Sequence, residues 1–174
     1  GLPNRARLNQ YLDSTIDTMH KAGRRMALLL IDLDHFKDIN DRLGHEAGDR
    51  VLKGVAAQLV SEPFAGQMAA RLGGDEFVLV IENKQLLADL PGTLELLLGK
   101  LRFEVGREGE TILASATIGA TWLTACNNDR SQLLRCADYA LYQAKRTERG
   151  TASICPDAIA GQHIRAAPQL RAVS

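Results

Sequence analysis

The sequence is short of cysteine, of net charge and of long apolar runs, and each shortage removes a class of function. Its three cysteines, Cys126, Cys136 and Cys155, are odd in number and show no paired metal-ligand spacing. They read as reduced thiols in a cytoplasmic protein. The 21 basic residues balance the 21 acidic ones, so nothing suggests a general binder of nucleic-acid polymer or membrane surface. Any anion site must be built locally from a few placed cations. The longest apolar run, Met26 to Ile31, is far too short to span a bilayer, and no signal peptide is visible. An initiator Met is missing too, so the chain reads as a piece of something longer. What remains, 174 residues that are 45% hydrophobic, suffices for one core and one domain.

Apolar residues Leu8, Leu12, Ile16 and Met19 recur at helical spacing between Asn4, a plausible N-cap, and Ala22. Met26 to Leu33 has the pattern of a strand buried on both faces and runs into Asp32-Leu33-Asp34, two carboxylates on one face. His35 to Gly48 predicts one brief helix and a turn, and Asp49 to Val60 an amphipathic helix broken by Pro63 and Gly66. Gln67 to Leu72 and Phe77 to Glu82 flank Gly73-Gly74 as a hairpin, the glycines supplying the positive φ of a tight turn. Lys84 to Arg102 reads as helix split at Pro91-Gly92. Ile112 to Thr121 alternates as one strand, Ser131 to Thr147 is a helix, and Thr151 to Ile154 is a short edge strand. Trp122 and the series Leu94, Leu97, Leu98 and Leu101 read as core, and His20 and His163 as surface. This order predicts an α+β sandwich, a mainly antiparallel sheet with helices on its faces.

Three clusters carry chemical potential. Asp32 ends one central strand while Asp75 and Glu76 begin another. If those strands pair, the carboxylates converge into a site for a hard divalent cation, which takes one or two carboxylates plus substrate phosphates. A single acid at a strand end is ordinarily just solvated, but three at two converging ends beside Gly-Gly favour the cation. Lys37, Asn40, His45 and Asp49 follow the first strand. An Asn with an Asp can read a guanine edge, the carboxylate accepting from N–H donors, and such a site rejects bases that leave its polar groups unpaired. A plain polar loop fits these residues equally well. Lys145 and Arg149 share a face if the last helix runs four residues further. They then suit a polyphosphate, although alone they read as cations complementing a helix C-terminus. Arg71 likewise reads as a strand-end cation.

Together these motifs resemble the GGDEF-domain family of diguanylate cyclases. Gly1-Leu2-Pro3-Asn4-Arg5 is similar to the second half of that family's opening motif. Asp32 to Asp41, with Gly44-His45 and Gly48-Asp49, resembles its first core motif, and Gly73-Gly74-Asp75-Glu76-Phe77 the signature itself. Ala116 to Ala120 resembles the later strand motif and Ala137 to Lys145 the final helix motif. The resemblance covers roughly Gly1 to Ile154. It implies a ferredoxin-like core akin to nucleotide cyclases and polymerase palms, with a domain at 1–155 and a tail or linker at 156–174. It implies condensation of two GTP into cyclic di-GMP with release of two pyrophosphates. Asp32, Asp75 and the Leu33 carbonyl then ligate Mg²⁺, or Mn²⁺ in its place. Glu76 is a second metal ligand or the base toward the attacking 3′-hydroxyl. Asn40 and Asp49, with His45 nearby, recognise guanine. Lys37, Lys145 and Arg149 neutralise the β- and γ-phosphates, and Gly73-Gly74 leave room for the nucleotide. One domain holds one GTP, so catalysis implies a head-to-head homodimer.

The chain also departs from the family pattern. Where many members carry an inhibitory Arg-x-x-Asp, this one has Phe64-Ala65-Gly66-Gln67, and Glu148 replaces a glycine beside the phosphate cations, predicting weaker GTP binding. A sensory or dimerising region is expected before Gly1, which allows membrane tethering of the whole protein. The segment from Pro156 faintly resembles a linker into a phosphodiesterase domain. The alternative reading is therefore a GTP-binding regulatory module with little cyclase activity.

Overall fold

The apolar run ending at Asp32 forms the central strand. In the computed structural model, which describes residues 1–107, 109–124, 127–155 and 163–165, β1 (Ala27–Leu33) lies between β3 (Glu76–Ile81) and β6 (Ala116–Trp122), antiparallel to both. β2 (Met68–Gly73) flanks β3, while β7 (Thr151–Ile154) and β8 (His163–Arg165) extend the far side. The order is β2-β3-β1-β6-β7-β8, and among the described residues β6–β7 is the parallel pair. Between β1 and β2 lie α2 (Phe36–Leu43) and α3 (His45–Leu59), and after β3 come α4 (Lys84–Ala88) and α5 (Leu90–Lys100). Strands β1, β2, β3 and β6 with these crossovers trace the β-α-β-β-α-β path of a ferredoxin-like core. The α+β expectation holds.

Strand alternation divides the interior in two. Leu28 and Leu30 face α1 (Arg5–Lys21) and α6 (Arg130–Thr147), packing with Leu8, Leu12, Leu133 and Leu141. Leu29, Ile31 and Leu33 face the other way, into the larger core with Val51, Val55, Leu94 and Leu97. By the same alternation Asp32 falls on the α1/α6 face. Asn4 caps α1 as expected, its Oδ1 accepting from the Arg7 N–H at 3.0 Å. Trp122 is buried and His20 exposed, in line with their readings.

Several local expectations need correction. The second crossover helix starts at His45, not Asp49, because Gly44 alone makes the turn and Gly48 lies inside α3. The alternating stretch from Ile112 is two strands. β5 (Glu110–Ala114) pairs with β4 (Phe103–Arg107) in a separate ribbon, and only past Ser115 does β6 join the main sheet. The period continues across Ser115 while the partner changes, and β4 had no signal of its own. The leucine-rich helix breaks at Asp89, which caps α5 by accepting from the Gly92 N–H. Pro91 sits in the first turn, where its missing donor costs nothing. β7 is covered by β8 and so is not an edge. The β2–β3 turn is Gly74-Asp75, with a register shift between Arg71 and Gly73. Cys126 and the expected tail, other than strand β8, lie outside the described residues. No described helix is long and apolar enough to cross a membrane.

Candidate active site at the mouth of the central hairpin

The β1–β3 register places Asp32 directly opposite Glu76, which puts both side chains on one face of the sheet. Asp75 occupies the adjoining turn, and its carbonyl accepts from the Leu33 N–H at 3.2 Å. The turn is rigidly built. Arg71 donates from Nε and Nη2 to the Gly74 carbonyl at 3.1 and 2.6 Å, so this cation braces the hairpin. Gly73 and Gly74 have φ of +147° and +54°, conformations hostile to side chains, and no atom lies within 4 Å of where a Cβ would stand at either. The three acids therefore converge beside open space.

Cations reach the same mouth from α6. Lys145, in its last turn, sets Nζ 2.7 Å from Asp32 Oδ1. The helix ends at Thr147, so Arg149 does not reach the site by helical continuation. It arrives on the extended segment that follows, with Nη1 3.6 Å from Asp34 Oδ1. Asp34 was absent from the expected site although it shares a face with Asp32. It is buried, and it accepts from Thr117 Oγ1 at 2.6 Å and Ser115 Oγ at 2.8 Å. Arg5 approaches Glu76 at 4.0 Å, a half-exposed pair that adds little.

The electrostatics at Asp32 are those of an acid in want of positive charge. Desolvation by burial pushes its pKa above the ordinary carboxylate value, the hydrogen bond and charge of Lys145 pull it back, and the nearby charges of Asp75 and Asp34 push it up again. The described residues hold no cluster of three or more His, Cys, Asp or Glu arranged to enclose a metal. Two carboxylates, Asp32 and Asp75, with a neighbouring backbone carbonyl suit a cation that keeps its remaining positions for water and substrate oxygens, the habit of Mg²⁺. The donor set fits a shared site.

The second cluster is gathered partly. Asn40 on α2 lies over Gly48 of α3, its Oδ1 only 2.0 Å from where a Cβ would project. His45 and Asp49 are exposed and four residues apart on α3, so they share a face. Lys37 stands exposed in the first turn of α2. At the window that departs from the family pattern, Phe64 is fully buried. Gln67 Oε1 accepts from the Glu82 and Asn83 N–H groups at 2.7 and 3.2 Å.

The family described as "Diguanylate cyclase, GGDEF domain" matches residues 1–151. Diguanylate cyclase TpbB of Pseudomonas aeruginosa is 35% identical over 151 residues, which are 86% of this chain and 35% of that protein. The bifunctional diguanylate cyclase/cyclic di-GMP phosphodiesterase MucR of the same organism is 38% identical over 144 residues, 83% of this chain and 21% of MucR. The chain thus spans a minor part of the length of these curated relatives. The crystal structure of the GGDEF domain of TpbB (YfiN) superposes with a TM-score of 0.76 at 32% identity, covering 89% of this chain and 97% of that one. By its hairpin, its fold and these matches, the chain belongs to the diguanylate cyclase GGDEF-domain family.

Proposed function

We propose that this domain, bounded near residue 155, condenses two GTP into cyclic di-GMP and releases two pyrophosphates. The observation that carries the reading is the convergence of Asp32, Asp75 and Glu76 on one hairpin mouth that Lys145 and Arg149 also reach. Each 3′-hydroxyl attacks the α-phosphorus of the other nucleotide, one P–O bond forming as the bond to pyrophosphate breaks. Such transfer needs positioned reactants and neutralised charge more than covalent help from the protein. A divalent cation, Mg²⁺ or Mn²⁺, held by Asp32, Asp75 and the Leu33 carbonyl, supplies Lewis-acid neutralisation of the phosphates. Glu76 stands beside it as the base toward the hydroxyl or as a further ligand. Lys37, Lys145 and Arg149 take the β- and γ-phosphates, the ground before Gly73-Gly74 accepts the nucleotide, and Asn40, Asp49 and His45 face guanine. Each domain presents one such set, so the reaction centre lies on the two-fold axis of a homodimer.

Incubating the protein, dimerised through a fused coiled coil, with GTP and Mg²⁺ and separating the nucleotides tests this. Cyclic di-GMP is expected. GTP bound without product at high protein concentration instead supports a regulatory module attached to a phosphodiesterase, a reading favoured by the bifunctional architecture named for MucR. The intact acids at Asp32, Asp75 and Glu76 weigh against it.

Two consequences follow for binding. Gly48→Ala projects a methyl group into the Asn40 amide and forces it outward. GTP affinity is expected to fall by about tenfold as a buried hydrogen bond is lost, while the far-UV spectrum stays unchanged; unaltered affinity by calorimetry would remove Asn40 from the guanine site. Product feedback is the other. With Phe64 buried and Gln67 bonded to the chain entering α4, no charged pair is available there. Turnover is expected to be insensitive to added cyclic di-GMP through this window, and product bound tightly around Phe64 to Gln67 would overturn that.

A further inference from the structure

Arg149 poses a problem of placement. A side chain on a helix inherits its direction from the helix, but α6 has ended two residues earlier and Glu148 is extended. A long flexible guanidinium, 46% exposed, should then sample many rotamers. The segment that bears it is nevertheless tied down. Thr117 Oγ1 accepts from the Gly150 N–H at 3.0 Å and donates to Asp34 Oδ1 at 2.6 Å. Thr151 Oγ1 donates to the Glu148 carbonyl at 2.6 Å. Ser115 Oγ donates to the other oxygen of Asp34, whose own N–H donates to the Ser115 carbonyl at 2.9 Å. Asp34 is thus a buried carboxylate with both oxygens bonded, rigidly seated between the ends of β1 and β6. Its single charged neighbour among the described ion pairs is Arg149.

We propose that Asp34 is a positioning residue for the triphosphate. Its fixed charge draws the guanidinium to one side, with Nη1 3.6 Å from Oδ1, and so keeps the donors of Arg149 near incoming phosphate oxygens. A guanidinium kept beside a rigid carboxylate is partly pre-organised for a phosphate, so less side-chain freedom is lost on binding. Thr117 completes the device by fastening Gly150 to the same carboxylate. The inference rests on the reading of Arg149 as a ligand for the β- and γ-phosphates.

Asp34→Asn is the discriminating variant. The amide is isosteric and still meets both hydroxyls, through an acceptor for Thr117 and a donor for Ser115, while the charge that orients Arg149 is gone. Calorimetry with GTP and with GMP is expected to show GTP affinity about tenfold lower, from the ordering now required of Arg149, and GMP affinity unchanged. Arg149→Ala should show the same selective loss, and the double variant should be no worse than Arg149→Ala. Thr117→Val, which removes the bond to Gly150, should shift GTP affinity in the same direction and serves if Asp34→Asn does not fold. Equal loss for both nucleotides, additive effects, or unchanged or tighter GTP binding by Asp34→Asn would overturn the proposal. A wild-type protein that binds no GTP would remove the nucleotide reading itself. Loss on Arg149→Ala without loss on Asp34→Asn would remove only the role of Asp34.

Discussion

Gly119→Ala is expected to destabilise the domain by at least about 3 kcal/mol. For a chain of this size that lowers the melting temperature by roughly 6–12 °C. Gly119 lies mid-strand in β6, paired to Leu30 of β1 and Ser153 of β7, and a Cβ there would stand 2.1 Å from the Ala137 carbonyl oxygen and 2.3 Å from the Leu141 nitrogen. These are backbone atoms of α6, so no rotamer change relieves the clash. Either the helix lifts from the sheet, opening the core around Leu133 and Leu141, or the strand buckles between two partners. Ala137, Ala140 and Ala144 are all buried, consistent with a helix seated as close to the sheet as backbones allow. The damage should extend to function, since α6 carries Lys145 and leads into Arg149. Gly99→Ala is the control: it is an exposed helical site with no atom within 4 Å of the new Cβ. There the change should be neutral or stabilising by up to about 1 kcal/mol. Equal melting temperatures for the two variants would contradict the close packing described.

This contact also shows where sequence reasoning stops. The central strand, the α1 and α6 helices and the hairpin were legible because each is a local pattern: a continuous apolar run, a 3.6 period, glycines between two short strands. Convergence of Asp32 with Asp75 and Glu76 was legible too, given only that the two strands pair. What stayed hidden is non-local. Nothing in Ile112 to Thr121 marks the exchange of partner at Ser115, because side-chain alternation is the same in either sheet, and β4 has meaning only through β5. Asp34 escaped for a related reason. Next to Asp32 it looks like a second solvated acid, and only the fold discloses that Ser115, Thr117 and Arg149, more than eighty residues on, meet there. Arg149 was expected on the face of a continuing helix; it lies instead on the extended segment after α6, beside the buried carboxylate of Asp34.

Asp32→Asn is expected to reduce turnover by on the order of a thousandfold, the loss of several kcal/mol of charge stabilisation around the transferring phosphate, without weakening the cation-free fold. The second half of that expectation comes from the direction of the pKa. Burial, with Asp75 and Asp34 nearby, raises the folded-state value above 3.8 despite the Lys145 contact. The ionised form is therefore disfavoured by folding. Below the unfolded pKa, Asp32 is protonated in both states and the penalty vanishes; it builds as pH rises through the folded pKa and is complete above it. The asparagine escapes it while still accepting from Lys145. In the absence of divalent cation, the melting temperature of the variant minus that of the wild type should increase as pH climbs from about 4 and then level off. Added Mg²⁺ should reverse the order, raising the wild type selectively, because a ligand stabilises only the state that binds it. A variant less stable than the wild type at neutral pH without cation would mean that Lys145 outweighs desolvation, and that the acid is a structural ion pair. A variant retaining turnover would take Asp32 out of the metal site. Asp32 alone is then the acid that folding destabilises, and Lys145 offsets part of that cost.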